Sequence, residues 1–263
     1  MNFKESIRIT VTIAAKDIVD AVKNKTTLSI MLGVGLMMLT GLALPLLFGP
    51  RRAPTAVEGQ AVNPPSELGL QPSLLAINLT VQLLIVGLAL VPYLMIEEKE
   101  THTLDALLVS PAHFGHVVSG KALAGMFYCL CAAVVVFLFN TRWIVHWEIA
   151  ALAFLLGAAF TVAGGLLLGI MSENPTTVNL WLGLFLMLLL VPMLLAELVS
   201  AKLPGVVQAI LPWMPSVAMG KLVGLSMVGV VPAMDIWSNV GTLAIESLIF
   251  YALVIWRVRR SDR

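Results

Sequence analysis

Apolar runs of membrane length recur along this chain, separated by short polar breaks. A hydrocarbon layer about 30 Å thick takes about 20 helical residues to cross. With no water in that layer, each backbone N–H and C=O must be paired within its own segment, so such runs form helices. The short alternating segments of a membrane barrel do not occur. The pattern predicts six spans, at about 27–48, 72–96, 117–140, 149–171, 177–199 and 237–256. Pro50, Pro54, Pro64, Pro65 and Pro72 mark a loop of little regular structure over 49–71, and 172–176 reads as a tight turn. Trp237 and Trp256 bracket the last span as interface residues.

Two regions follow a different pattern. Residues 3–24 read as an amphipathic helix. Ile7, Val11, Ala14, Ile18 and Val22 form its apolar stripe, and Glu5, Arg8, Lys16, Asp20 and Lys23 lie largely on the other side. Such a helix can lie in the membrane interface with its lysines at headgroup level. Residues 206–231 are apolar but carry Pro212, Pro215 and Lys221. They fit either a seventh span or a broken helical hairpin.

Charge placement decides between the two. The arginine-rich tail from Arg257 to Arg263 and the lysine-rich N-terminus both belong on the cytosolic face. Both ends inside requires an even number of spans. Six spans put eleven Lys and Arg inside and leave five outside, namely Arg51, Arg52, Arg142, Lys202 and Lys221. A seventh span would expose the tail, so 206–231 reads as a re-entrant or external hairpin.

Composition agrees. The chain is 59% hydrophobic and 12% charged, about half the charged share of a soluble domain, and its mean hydropathy is +0.95. The net charge of +1 does not point to nucleic acid. The first 25 residues lack the continuous apolar core of a cleavable signal. Cys129 and Cys131 imply no disulfide framework. Two residues apart on a helix, they point about 200° away from each other, which does not suit one metal ion.

Candidate chemistry is sparse. Gly115 to Lys121 matches the core of a phosphate-binding loop, but Ala122 stands where the magnesium-binding hydroxyl belongs and the segment runs into a span. Gly120 and Lys121 are therefore expected to open the third span at the inner interface. Glu97 and Glu98 near His102 hint at a metalloprotease, but no H-E-x-x-H occurs, and His113, His116 and His146 fall in loops or at span ends. Glu246 lies about ten residues from each of Trp237 and Trp256, near mid-membrane. A carboxylate there usually faces the bundle interior or a water path. Asn78 and Gln82, one turn apart on the second span, are candidates to face it. Gly165 and Gly169 form G-x-x-x-G, which permits close helix contact within or between protomers.

One insert remains, between spans two and three. It runs Glu97-Glu98-Lys99-Glu100-Thr101-His102-Thr103-Leu104-Asp105-Ala106-Leu107-Leu108-Val109-Ser110-Pro111. Thr103 to Val109 fits a short amphipathic helix with Asp105 on one side and Leu104, Leu107 and Leu108 on the other. Such a helix at a cytosolic surface can dock into a groove on a soluble partner. The acidic-basic cluster, the T-L-D-A-L-L-V-S-P run and the following Gly120-Lys121 resemble the signature of ABC-2-type permeases. Asp105 stands where glutamate is commoner, and His102 where glycine is common.

The layout resembles that family as well: an all-α polytopic protein, one permease domain over residues 1–263, with an N-terminal elbow helix, six spans and a broken segment before the last. The resemblance implies a non-catalytic half-transporter, and an exporter. Two permease subunits, alike or different, would pair with two cytosolic ATPases that bind ATP and magnesium. Glu97, Glu98, Leu104, Asp105, Leu107 and Leu108 would then couple to the ATPase. Independently of the resemblance, the mid-membrane position of Glu246 makes it, with Asn78 and Gln82, the candidate for a translocation path. The alternative is a stand-alone ion-coupled transporter or channel that uses Glu246.

Overall fold

The computed structural model describes residues 3–24, 29, 33, 70–100, 114–141, 144–198 and 203–261. The predicted first span apart from residues 29 and 33, the proline-rich loop up to residue 69 and residues 101–113 lie outside the described residues. Within the described residues the fold is all helical. We number the helices α1 (Phe3–Lys23), α2 (Leu70–Ile85, continued by a π-helical Val86–Leu90 and by Val91–Glu100), α3 (Phe114–Asn140), α4 (Trp147–Met171), α5 (Pro175–Leu198), α6 (Gly205–Ile210), α7 (Pro215–Leu225) and α8 (Ala233–Ser261). Five of them, α2, α3, α4, α5 and α8, are long and apolar enough to cross a membrane.

Helix α4 is the hub and packs against α2, α3, α7 and α8. Its glycines decide how close the others come. A Cβ at Gly165 would sit 2.5 Å from the Gly87 carbonyl oxygen, and one at Gly169 3.1 Å from Pro92 Cα. The G-x-x-x-G pair therefore serves contact inside the protomer, where α2 crosses α4. The π-helical turn of α2 falls at this crossing. Pro92 has no N–H to give the Leu88 carbonyl, and its ring crowds that carbonyl, so the helix widens just before it.

Local chemistry sets the ends. After α4, Ser172 turns to an extended conformation. Asn174 Oδ1 then accepts from the Thr177 backbone N–H at 2.8 Å, and Pro175 opens α5, a side-chain N-cap with proline at the first helical position. Between α6 and α7 a short 3₁₀ turn, Leu211–Trp213, ends at Met214. Met214 precedes Pro215 and is extended, as a residue before proline prefers. The two segments meet at 79°. The return from α7 is tied down, because the Val145 and His146 backbone N–H groups both donate to the Ser226 carbonyl at 2.9 Å. The chain thus bends sharply between α6 and α7, and the return from α7 lies on the α3–α4 loop.

Two sequence expectations are corrected, and the packing of α1 is added to them. Residues 97–100 are the last turn of α2 rather than part of an insert distinct from it. Helix α3 opens at Phe114, and Gly120 and Lys121 lie about two turns inside it rather than at its start. Helix α1 meets the bundle through one edge of its apolar stripe, at Ala14 and partly buried Ile18. Ile13, Ala14, Asp17 and Ala21 are buried, mostly against α3, while Ile7, Val11 and Val22 stay about half exposed.

Candidate functional site

The best-built polar site sits where α1, α2 and α3 meet, at the two ends of the 101–113 segment. It starts from a glycine. A Cβ at Gly120 would lie 2.7 Å from Ile13 Cγ2 and 3.2 Å from the Thr10 carbonyl oxygen, so α1 approaches α3 this closely only over a residue without a side chain. The next residue, Lys121, is fully buried. Its Nζ lies 3.2 Å from Asp17 Oδ2 on α1, 3.0 Å from Glu98 Oε2 on α2, and 2.8 Å from the Leu94 carbonyl oxygen. Three acceptors surround an ammonium with three N–H groups. Those to Asp17 and Leu94 are hydrogen bonds, and the Glu98 contact is an ion pair.

The cluster holds two buried carboxylates on one buried cation. Burial pushes the Asp17 carboxyl above its ordinary value; Lys121 pulls it back and Glu98 pushes it up again. Some of the excess negative charge is met at the rim, where half-exposed Lys16 places Nζ 3.5 Å from Glu98 Oε1. Asn24 Nδ2 donates to Glu97 Oε2 at 2.8 Å. Farther along, Ser6 Oγ and His116 Nε2 share a hydrogen bond of 2.7 Å, and the Tyr128 hydroxyl donates to the Ile18 carbonyl. A cavity of about 360 Å³ opens beside the cluster, with Lys16, Asp20, Lys23 and Glu97 on its wall.

Lys99 points the other way. Its Nζ donates to the carbonyls of Gly169 at 2.9 Å and Ser172 at 2.6 Å, at the C-terminus of α4. A cation there satisfies carbonyls that the helix leaves unpaired and meets the negative end of the helix dipole. So the last turn of α2 is joined on one side to α1 and α3 through Glu98, and on the other to α4 through Lys99. The arrangement is a mechanical joint, and it holds both ends of the 101–113 segment. Leu104, Asp105, Leu107 and Leu108 lie outside the described residues.

Residues 10–256 match the family described as ABC-2 family transporter protein, which is nearly the whole chain. The chain belongs to the ABC-2 transporter family. It is the membrane permease component of an ABC transporter and a multi-pass membrane protein. No curated protein matches it.

In this ABC-2 permease the residues singled out from sequence fall in different places. Glu97 and Glu98 belong to the joint. Glu246 is half-buried on α8, with Oε2 buried and without a hydrogen-bond partner. One turn on, Phe250 packs its ring 5.1 Å from that of Phe160 on α4 and 5.8 Å from that of Phe185 on α5. Gln82 donates to Asn78, and no hydrogen bond joins either to Glu246 among the described residues. Cys129 is buried and Cys131 exposed, on different faces of α3 as their spacing implies.

Asp17, Lys99 and Lys121 went unrecognised as partners. A signal for Asp17 existed. It sits at helical spacing from Ala14 and Ala21, a stripe of small residues interrupted by one acid, which marks a tight helix crossing with a buried ion rather than a solvated face.

Proposed function

We propose that this permease is the membrane half of an exporter, and that the segment from Glu97 to Pro111 contains the coupling helix driven by a separate ATPase. The joint around Lys121 is the observation that supports this reading. A segment that only closed a loop would not need a fully buried lysine bonded across α1, α2 and α3 at its root, nor a second lysine bonded to the end of α4. With those bonds, a push on residues 101–113 moves four helices together. Leu104, Asp105, Leu107 and Leu108 would make the contact. ATP with magnesium in the partner would favour one conformation by binding it more tightly, and the bundle would switch with it.

The same reading puts both termini and the joint on the cytosolic face of the cell membrane. The bent pair α6–α7 then sits at the outer end, because its return is bonded to the loop at the far ends of α3 and α4. Helices α5 and α8 leave most of their apolar surface uncovered, which suits lipid and a second permease subunit. The test is reconstitution with the ATPase that co-purifies with the chain. Asp105→Arg should lower substrate-stimulated ATP hydrolysis by about tenfold or more, which corresponds to about 1.4 kcal/mol of coupling. Full hydrolysis by the variant, or failure of any ATPase to bind, would sink the coupling reading.

One observation favours a second reading. The unpartnered Glu246 oxygen is suited to an ion or proton on a transport path. In a stand-alone transporter, Glu246→Gln would abolish transport and its pH dependence without any ATPase present. In the coupled reading the variant changes transport by a few-fold at most and leaves the ATP requirement intact.

A further inference from the structure

At the end opposite the joint, a cavity of about 610 Å³ lies between the bent pair and the first half of α8. That is within the usual ~300–1,000 Å³ of a small-ligand cleft. Its walls are mostly apolar, with Leu225 and Ile245 among them, and both Trp213 (69% exposed) and Trp237 (71% exposed) border it. Two opposite charges face the same space, Lys221 on α7 and Asp235 in the first turn of α8. They form no ion pair with each other, and the Lys221 ammonium has no hydrogen bond or ion pair among the described residues.

We propose that this cavity binds the phosphoethanolamine headgroup of a membrane phospholipid. The phosphate, an acceptor-only anion, meets Lys221. The primary ammonium donates to the Asp235 carboxylate, an N–H···O bond that a fully methylated ammonium cannot make. The glycerol and chains leave past Ile245, while the exposed tryptophans take up the boundary between headgroup and hydrocarbon, where their apolar rings and polar N–H are both accommodated. A cation and an anion held apart in one apolar cleft suit a ligand that carries both charges and a tail. The leaflet, the outer one, rests on the outward placement of α6–α7 proposed above; the headgroup chemistry does not.

The experiment uses the full chain in detergent, stripped of lipid, with lipid retention read by native mass spectrometry. One dipalmitoyl phosphatidylethanolamine should be retained per chain, and dipalmitoylglycerol, which lacks the phosphate, should not. Lys221→Ala should lower retention by about tenfold and Lys221→Arg should restore it. Asp235→Asn should erase the preference for ethanolamine over choline lipid. Arg257→Ala, at the other end of α8, serves as the control and should change nothing. Full retention by Lys221→Ala, or equal retention of dipalmitoylglycerol, overturns the proposal. Displacement by soluble glycerophosphoethanolamine at the same concentration overturns the lipid as the source of the headgroup. Leaflet placement has its own readout: Trp213→Cys in intact cells should react with an impermeant maleimide from outside. Labelling from the cytosolic side alone overturns the outer leaflet, whatever the retention shows.

Discussion

Lys121 and Lys221 are both lysines in apolar helices of one chain, and they are in opposite situations. Lys121 is fully buried, with two carboxylates and a carbonyl within 3.2 Å. Lys221 is partly buried beside an open cavity and has no partner among the described residues. The physical difference is where the water went. An ammonium removed from water must have its N–H groups bonded in place. The first lysine therefore fixes the positions of three helices. The second keeps its bonding capacity for something that arrives. In a chain this apolar, a charge is either part of the framework or available to a ligand, and the completeness of its bonding tells which.

The largest expected effect comes from removing the framework lysine. Lys121→Ala leaves Asp17 and Glu98 buried together without their cation. Breaking a buried pair in this way costs about 3–5 kcal/mol, so folded protein in the membrane should fall sharply, and the unfolding midpoint in detergent with it. Lys16→Ala is the internal contrast, since a half-exposed pair contributes only about 0–1 kcal/mol. Equal losses from the two variants would mean that the Lys121 cluster does not hold the helices together.

A smaller effect is expected at Asp17, because Lys121 then keeps Glu98 as a one-to-one partner. Asp17→Asn should cost about 1 kcal/mol, the size of one net hydrogen bond. Its pH dependence has a definite sign. The Asp17 carboxyl is raised above 3.8, mainly by burial, so the folded protein holds this proton more tightly than the unfolded chain. Stability from this group is greatest in acid and is lost as pH rises from the ordinary carboxyl range through the raised value. Wild type should therefore gain on Asp17→Asn as pH falls through that window, measured by paired unfolding curves. A gap that narrows or reverses in acid would show that the Lys121 pairing outweighs the desolvation of Asp17.

The helices were legible in the sequence because apolar length is a strong signal in a membrane, and the bend at 214–215 because proline punctuates a helix. The crossing contacts were not. The alternation of small residues with Asp17 on α1 gains meaning only when Lys121 is known to meet Asp17, and that is a fact about two segments more than a hundred residues apart. The same holds for Lys99, whose partners are carbonyls at the end of α4. Charge patterning assigned these lysines to one face of the membrane but gave no account of whether they were solvated. The G-x-x-x-G pair had two readings because a glycine stripe says that something approaches closely without saying what.

The smallest expected effect on stability is at Lys221, and it sharpens the contrast most. No described bond is lost in Lys221→Ala, so its unfolding midpoint in detergent should match wild type within the roughly 0.5 kcal/mol scatter of substitutions that touch no framework contact. A loss as large as that of Lys121→Ala would make Lys221 a framework residue after all and remove the basis for an unbonded cation in the cleft beside α7. Unchanged stability alone does not establish a ligand, which is why the variant is read twice. If phosphatidylethanolamine raises the wild-type midpoint, as any ligand of the folded state must, and leaves Lys221→Ala where it was, the unbonded ammonium is where the stabilisation enters.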